Sequence, residues 1–518
     1  MKLADSRKAH FSVDMLLLWL IILALSAIYY VERKKRFERI WKHILQIPGP
    51  EAKLLIGTNY KLISCEDIFE RERRRMREFF PIYKTWIFHT PFVHLADPDD
   101  MEVSESTPSR KNCPIAFTFQ KILTKPIHIT KGLSAEKMFG DWLHGGLIMI
   151  TGSKWYRRRK LLEPSFHFNN LKTFAELFYV EAQALVEDLK KNCHEPYTEI
   201  ENYAYRYTLC CFGTTSLGFQ LRDNDGTQEY LDNAARFKRH VVYRLEHPWL
   251  LHDGVFKFTA LFRSFKQNLR RIHEFGDNII RERTKALESV ADAKPPMLDL
   301  LLKARSQRGD IDDKAVKDEI NTFIAAAHDT SAASLCFTLM LLANNKEAQE
   351  EMYEEIVKSL GKNEVPSYYA LSQLKFMDRC ISESLRIYPV APILNRIAGE
   401  EVVTKSGHTI PKGCNMLLNV IDMHRAPEIW DEPDKFEPDR FLPENVAKRH
   451  RFAYLPFAAG QRNCIGKKFA LVELKAALCA VLRSFVLEPV DRPEDVKCIN
   501  LGLMKPVRSI RVKFVPRN

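Results

Sequence analysis

Residues 15–31 limit most strongly what this chain can fold into. They read MLLLWLIILALSAIYYV, an almost unbroken apolar run of seventeen residues. A helix of this length is just long enough to cross the hydrocarbon core of a bilayer. Five of the residues in 33–39 are lysine or arginine, and such a basic flank stays on the cytosolic side. The sequence therefore predicts an N-terminal transmembrane anchor and a protein body that faces the cytosol.

A cleaved signal peptide is the alternative interpretation, because residues 24–26 (Ala-Leu-Ser) resemble a small-residue cleavage site. The eleven cysteines have irregular spacing and include no CxxC pair, which is typical of a reduced, cytosol-facing chain. This observation disfavours export. We expect an N-terminal segment (1–14), the anchor (15–31), a basic and Pro-Gly-Pro linker (32–50) and a single large domain (51–518).

The large domain has the pattern of a mainly α protein with small β-sheets. Helical patterns dominate residues 141–385. Short strand-like pieces occur at residues 54–57, 84–88, 401–404, 415–419 and 509–515. Strands from both ends suggest sheets that close one fold. Acidic and basic residues are mixed, and no long basic tail accompanies the net charge of +12, so we expect no nucleic-acid partner.

The segment 457–471 carries the clearest chemistry. It reads FAAGQRNCIGKKFAL, in which two glycines flank Cys464 and a helical pattern follows. A cysteine at the start of a helix lies near positive backbone dipoles, which favour the thiolate that ligates metal. Gly460 and Gly466 allow turns and the close approach of a flat ligand. Arg462 can pair with an anionic group of such a ligand.

Two other interpretations of this loop deserve comparison. A phosphate-binding loop is disfavoured, because Gly460 and Gly466 are one residue too far apart and Lys468 stands where serine or threonine is required. A structural cysteine buried in a loop fits the composition about as well as a metal ligand does. The loop alone leaves that choice open.

Residues 457–466 match the FxxGxRxCxG signature of the cytochrome P-450 family, which this chain resembles over essentially its whole length. Four further motifs agree with that family in order and spacing. They are WxxxR at 155–159, an AGxDTT-like stretch at 326–331, ExxR at 383–386 and a PERF-like segment at 438–441. The resemblance implies the cytochrome P-450 fold behind an N-terminal anchor helix, and a haem b cofactor.

The resemblance also implies roles for the matching residues. Cys464 is expected to ligate the haem iron as a thiolate, with Phe457 packed beside the sulfur and Gly460 shaping the loop. The residues expected to contact the haem propionates are Arg462, Trp155, Arg159 and Arg396. The residues expected to form a buried structural cluster beneath the haem loop are Glu383, Arg386 and Arg440.

Residues 318–345 are predicted to form one long helix. Thr330 can donate its hydroxyl to the Ala326 carbonyl four residues back, and such bonding bends a helix and opens a groove. In the family this groove holds dioxygen. The resemblance therefore makes Asp329 and Thr330 the catalytic acid–alcohol pair and Ala326 a haem contact. Ala327 replaces the family's glycine, and its extra methyl is expected to narrow the groove.

Two stretches, 154–168 and 319–330, resemble the microsomal fatty-acid ω-hydroxylase (family-four) clan, with an insect-like sequence. In that clan a glutamate often forms an ester bond to the haem, but this chain has Ala326 at that position. We therefore expect a non-covalently held haem. Losing the glutamate also weakens the inference to terminal hydroxylation, so the expected substrate is any apolar molecule: a fatty acid, a terpenoid or hormone, or a xenobiotic.

The chain contains no nucleotide-binding fingerprint, so reducing power must come from a partner. Complementary charge speeds such encounters. Basic residues expected around the Cys464 loop are Arg157, Arg158, Lys160, Lys448, Arg449, Arg451, Lys467, Lys468 and Lys475. The resemblance implies an NADPH-dependent flavoprotein reductase, with a cytochrome of the b5 type as a candidate second donor, at the endoplasmic reticulum membrane. Residues 236–258 mix basic and aromatic side chains and could contact the membrane, close the substrate pocket or form plain core.

The leading functional hypothesis is insertion of one oxygen atom of O2 into a C–H bond of a lipophilic substrate. A haem-thiolate isomerase or dehydratase that acts on peroxides without a reductase is an alternative, which the presence of Asp329 and Thr330 disfavours. A non-catalytic membrane haem or lipid-binding protein is a second alternative, which the intact Cys464 loop disfavours.

Overall fold

The computed structural model describes residues 24, 31–32, 41–52, 57–58, 64–87, 90–101, 122–123, 130, 139–287, 295–308, 311–362 and 364–517. Apart from residues 24 and 31, the predicted anchor at 15–31 lies outside the described residues. The same holds for residues 54–56 of the first strand-like piece. The anchor and its orientation stay predictions.

Helices make up most of the described chain. They are α1 (Cys65–Phe79), α2 (Pro98–Met101), α3 (Gly152–Leu162), α4 (Phe168–Lys190), α5 (Glu201–Phe212), α6 (Asp225–Glu246), α7 (Asp253–Phe256), α8 (Ala260–Leu287), α9 (Met297–Arg308), α10 (Asp313–Asn344), α11 (Lys346–Leu360), α12 (Tyr368–Gln373), α13 (Lys375–Ile387), α14 (Val420–Met423), α15 (Pro443–Lys448) and α16 (Lys467–Ser484).

The strands are short and lie mainly near the two ends of the domain. They are β1 (Ile82–Ile87), β2 (Thr90–Leu95), β3 (Thr198–Glu199), β4 (Ile393–Ile397), β5 (Val402–Val403), β6 (Thr409–Ile410), β7 (Asn415–Asn419), β8 (Phe485–Pro489), β9 (Cys498–Asn500), β10 (Met504–Pro506) and β11 (Arg511–Pro516).

Helix α10 runs through the centre of the domain. Asp312 caps its first turn by accepting a hydrogen bond from the Ala315 amide at 2.7 Å. Helices α5, α13 and α16 pack around it, so most of its residues are buried. In the described chain it is the one helix long and apolar enough to cross a membrane, but 83% of its most apolar window is buried inside the protein. Its apolar character is that of a core helix.

Two sheets join distant parts of the chain. The larger has the strand order β1-β2-β7-β4, with β2 and β7 parallel. The three-stranded sheet has the order β3-β11-β8, so its central strand comes from the C-terminal end. The predicted mainly α fold with small sheets is confirmed. Sequence reasoning missed β2 and β4, which pair with the neighbouring β1 and with β7 respectively.

Helix α16 begins in an aromatic cluster that fixes its position. Phe469, in its first turn, is buried, and its ring centroid lies 4.8 Å from that of Phe178 in α4 and 6.3 Å from that of Phe212 in α5. Edge-to-face contacts of this kind stabilise beyond their buried area. The loop that precedes α16, which contains Cys464, is therefore held against the rigid core.

Candidate active site

A cavity of about 870 Å³ lies between helix α10 and the loop that precedes α16. Its lining is mostly apolar, and Cys464 faces it from the loop side while Ala326, Ala327 and Thr330 face it from α10. The predicted thiolate ligand and the predicted oxygen groove therefore line the same space. A large apolar cavity with a few convergent polar groups is the usual form of a small-molecule site.

The Cys464 loop is held by backbone hydrogen bonds. The Cys464 amide donates to the Phe457 carbonyl at 2.9 Å, and the Asn463 amide donates to the Gly460 carbonyl at 3.0 Å. Gly460 has a φ of 72°, a value that L side chains rarely adopt. Helix α16 starts directly after Gly466. The predicted loop-to-helix geometry is present.

The surroundings of Cys464 act on its pKa in two opposite directions. Although the thiol is exposed to the cavity, it lies deep in the protein. Burial raises the pKa of Cys464, while the Gly466 amide and the Arg159 and Lys467 charges lower it without compensating. The Gly466 amide and the two charges therefore act in the direction that the sequence predicts, against the effect of burial. A bound metal cation deprotonates such a ligand.

Three arginines lie near one another, and two of them, Arg159 and Arg462, line the cavity. Arg462 donates to the Leu147 carbonyl at 3.0 Å and to the Ile150 carbonyl. Arg159 donates to the backbone carbonyl and side-chain oxygen of Asn463, both at 2.8 Å. Arg396 is buried and donates to a backbone carbonyl. No carboxylate of the described residues acts on the charge of Arg396 or Arg462, whereas Glu163 acts electrostatically on Arg159.

The pKa values of Arg396 and Arg462 reflect that missing counter-charge. Burial, and then the charges of Arg396 and Arg159, lower the pKa of Arg462 to about 9. Burial alone lowers the pKa of Arg396 to about 10. Trp155, also predicted to contact the cofactor, packs against the Arg462 guanidinium at 4.4 Å from its ring centroid. This cluster is built to receive an anion, and the haem propionates fit it.

The ExxR motif forms a buried ion pair. Arg386 contacts both oxygens of Glu383 at 2.7 Å, and neither side chain is exposed. Arg440 lies 3.3 Å from the same carboxylate. Arg386 also donates to three backbone carbonyls, those of His424, Pro433 and Lys435. The three predicted residues therefore do lie together, and they fasten helix α13 to the segment before the Cys464 loop.

Helix α10 presents the acid–alcohol pair at the cavity. The Thr330 hydroxyl donates to the Ala326 carbonyl at 2.7 Å, the bond predicted from their spacing. Asp329 is buried and lies 2.6 Å from Lys238 of α6 and 3.0 Å from Lys505 of β10. Burial would raise the pKa of Asp329, but the two lysines outweigh it and hold that pKa far below its usual range. Asp329 is therefore ionised at neutral pH.

Sequence reasoning missed both lysines, and also Glu319, which is fully buried in α10. Glu319 pairs with Arg158 at 2.8 Å, and Arg158 is itself buried. The prediction that Arg158 belongs to an exposed basic face is therefore wrong. Lys475 is also buried, paired with Asp378 at 2.7 Å, so it too is removed from that face. Periodicity could have found Arg158, because Trp155 and Leu162 define the buried stripe of α3 and residue 158 lies on it.

The remaining predicted basic residues do lie at the surface or near it. Arg157, Lys160, Lys448, Arg451, Lys467 and Lys468 are exposed, and Arg449 is half-buried. Arg449 packs its guanidinium 4.0 Å from the centroid of the Trp430 ring.

Comparison with known proteins agrees with this site. The family model for cytochrome P450 matches residues 115–514. The chain is 30% identical to cytochrome P450 4c3 of Drosophila melanogaster over 517 residues, which is 95% of this chain and 93% of that protein. It is 31% identical to cytochrome P450 4V2 of Rattus norvegicus over 505 residues, 93% of this chain and 92% of that protein. It is 31% identical to cytochrome P450 4c21 of Blattella germanica over 519 residues, 96% and 98% of the two chains.

Proposed function

This chain belongs to the cytochrome P450 family, within its family-four clan, and is a haem-thiolate monooxygenase; from that premise we propose that it hydroxylates a lipophilic, chain-like substrate. The observation that carries the proposal is that Cys464 and Thr330 both line one large, mostly apolar cavity. That cavity has room for both a cofactor and an apolar substrate.

Cys464 would hold the haem iron, and Arg159, Arg396 and Arg462 would hold the propionates, with Trp155 packed beside them. When bound, the haem supplies activation of dioxygen and transfer of one oxygen atom to a C–H bond. Phe457 would limit water access to the sulfur. We propose that the haem is held without an ester bond, because Ala326 has no carboxylate to form one.

Protons must reach the oxygen groove, and the residues beside it suggest how. The Thr330 hydroxyl faces the cavity and can pass on a proton while it keeps its bond to the Ala326 carbonyl. Asp329 is the adjacent ionised group and orients Lys238, whose pKa burial lowers, so that this lysine can give up and regain a proton beside the groove. We propose that Thr330 and Asp329, with Lys238, act as the proton relay.

The substrate is proposed to be a fatty acyl chain or another lipophilic molecule of similar shape. The side chains that line the cavity away from Cys464 are largely apolar and include Phe69, Phe139, Ile148, Leu245, Trp249 and Leu394. Burial of a hydrocarbon surface against such a lining is favourable in free energy. Resemblance to the ω-hydroxylase clan favours an acyl chain among the lipophilic candidates.

An NADPH-dependent flavoprotein reductase is the proposed electron donor, with a cytochrome of the b5 type as a candidate second donor. The exposed basic residues near Cys464 offer complementary charge to an acidic partner. Arg158 and Lys475 are not among them, because they are buried. Lys467 and Lys468 lie directly after the loop, at the start of α16. Electrons would therefore enter from the thiolate side.

The proposed location is the endoplasmic reticulum membrane, with the domain on its cytosolic face. The predicted anchor at 15–31 supports this, and so do apolar side chains at the surface of the segment that follows α6. Phe258 is 92% exposed, and Trp249 and Val255 are about half exposed. Apolar side chains that are exposed to this extent are compatible with insertion into a membrane interface.

The deciding experiment is the carbon-monoxide difference spectrum of the reduced protein, recorded beside Cys464→Ser. A red-shifted thiolate-type Soret band that requires Cys464 is the expected result. Incubation with a reductase, NADPH and fatty acids should then give hydroxylated product. Absence of the band in folded, haem-supplied protein would overturn the proposal, whereas a band without fatty-acid product would overturn only the substrate class.

A further inference from the structure

A short turn, residues 143–150, lies directly on helix α10 at the edge of the cavity. The Gly145 amide donates to the Asp318 carboxylate at 3.2 Å, and the Thr322 hydroxyl donates to the Leu143 carbonyl at 3.2 Å. Gly146 approaches α10 so closely that a Cβ there would lie 1.9 Å from the Thr322 hydroxyl oxygen. The turn is therefore in contact with α10 through its backbone, and any side chain at residue 146 would displace it.

Glu319 joins this turn to helix α3. One carboxylate oxygen accepts from the Leu147 amide at 3.0 Å, and the other pairs with Arg158 at 2.8 Å. Glu319 and Arg158 are both buried. Breaking such a pair leaves an uncompensated buried charge, which is strongly destabilising. The contact between Glu319 and Arg158 therefore holds the two side chains in this geometry.

Each of the two partners of Glu319 is connected to one of the arginines that line the cavity. Leu147 donates its amide to Glu319, and its carbonyl accepts from Arg462 at 3.0 Å. Arg158 is followed in α3 by Arg159, which reaches the Cys464 loop through Asn463. The Glu319 carboxylate is therefore connected to Arg462 through Leu147, and to Arg159 through Arg158, its neighbour in the chain.

We propose that Glu319 is a positioning residue for haem binding: it holds the 143–150 turn and helix α3 so that Arg462 and Arg159 face the anionic edge of the haem. This inference rests on the proposed function, in which these arginines bind the propionates. Glu319 does not itself touch the cavity. Mutation of residues that orient the ligands of a metal typically lowers metal affinity or activity roughly 10–100-fold.

The test measures transfer of haem from the purified full-length holoprotein to an excess of apomyoglobin, together with hydrogen exchange of residues 143–150. Glu319→Gln keeps an acceptor for the Leu147 amide and removes the charge that faces Arg158. We expect haem transfer to become roughly tenfold faster. A control is Glu181→Gln, which breaks a partly buried ion pair, with Arg222 at 2.7 Å, and should lower the unfolding midpoint without changing haem transfer.

A second variant separates positioning from general stability. Replacing both partners, Arg158→Met with Glu319→Met, exchanges a buried ion pair for an apolar contact of similar size, which often restores stability. The Leu147 amide nevertheless loses its acceptor. We expect an unfolding midpoint near that of the wild type, but fast haem transfer and faster hydrogen exchange in the turn. This variant also serves if Glu319→Gln does not fold.

Wild-type haem transfer in the Met pair, or equal acceleration by Glu181→Gln, would overturn the inference. These outcomes differ from failure of the proposed function. If the wild-type protein takes up no haem, both fall. If it takes up haem with a thiolate spectrum and the Glu319 variants retain it equally well, the positioning role alone is wrong.

Discussion

Lys238 and Asp329 form an ion pair of 2.6 Å that connects helix α6 to helix α10 beside the oxygen groove. Lys505, from the hairpin of β9 and β10, contacts the same carboxylate oxygen at 3.0 Å. Three separate parts of the cavity wall therefore meet at one buried carboxylate. Movement of α6 or of the hairpin would change the electrostatic environment of the proposed proton relay.

Removing the carboxylate between these lysines should destabilise the fold. Asp329→Asn leaves Lys238 and Lys505 buried without an anion, and we expect a loss of about 3 kcal/mol in the free energy of unfolding. Chemical denaturation measures it. Lys190→Met is the control, because Lys190 pairs with Glu187 at the surface, where such pairs contribute little. A loss of equal size in both variants would contradict the buried-pair argument.

The Thr330 hydroxyl should matter for coupling oxygen use to product. Thr330→Val keeps the shape of the side chain but removes the hydroxyl. We expect the product formed per NADPH consumed to fall roughly 10-fold or more, since positioned proton transfer usually contributes at least that much. Thr330→Ser, which retains a hydroxyl, should stay near the wild type. Unchanged coupling in the valine variant would remove Thr330 from the relay.

The haem should leave the protein on extraction with acidic organic solvent. No ester is expected, because residue 326 is alanine. Introducing the carboxylate, as Ala326→Glu, should leave a fraction of the haem attached after turnover. Chromatography of the extracted protein, monitored by haem absorbance, measures both. Haem that stays on the wild-type chain would show that another residue forms a covalent bond.

Stability should decrease as pH rises from 6.5 to 8. Burial raises the pKa of Glu473 to about 8 and that of Glu319 to about 7, from an ordinary value of 4.5. In this range the folded state binds more protons than the unfolded state, so the free energy of unfolding falls as pH rises. Glu473→Gln should flatten that slope, which is at most about 1.4 kcal/mol per pH unit for each group.

Below pH 6.5 the buried histidines act in the opposite direction. Burial lowers the pKa of His328 to about 4 and that of His424 to about 3. At these two histidines the unfolded chain binds more protons, so their contribution to stability is lost as pH falls. The two glutamates still act in this range, so denaturation curves should show a weaker dependence of stability on pH between pH 5 and 6.5 than between pH 6.5 and 8. A steady rise of stability up to pH 8 would contradict the assignment of Glu473 and Glu319.

The parts of the site that the sequence predicts are contacts between residues a few positions apart in one motif. Thr330 and Ala326 are four residues apart on one helix, so their hydrogen bond follows from helix geometry. The proximity of Glu383 and Arg386 follows in the same way. The third member, Arg440, needed the family resemblance, because its approach to Glu383 depends on a loop between them.

The missed parts depend on contacts between distant segments. Lys238 lies 91 residues from Asp329 along the chain, and Lys505 lies 176 residues from it. A local sequence pattern does not predict contacts between residues so far apart in the chain. The same is true of Glu319 and the Leu147 amide, which are 172 residues apart. Burial of an acidic residue in an otherwise apolar helix was the available signal, since such a residue requires a partner.

The parallel pairing of β2 with β7 has a consequence for biosynthesis. Asn419 in β7 donates to the Leu95 carbonyl at the end of β2, across 324 residues. At a synthesis rate of roughly 5–20 residues per second, the first two strands emerge from the ribosome well before their partner exists. During that interval β2 exposes an unpaired edge. The nascent chain would therefore depend on chaperone protection, and a premature stop before residue 415 would leave the larger sheet permanently incomplete.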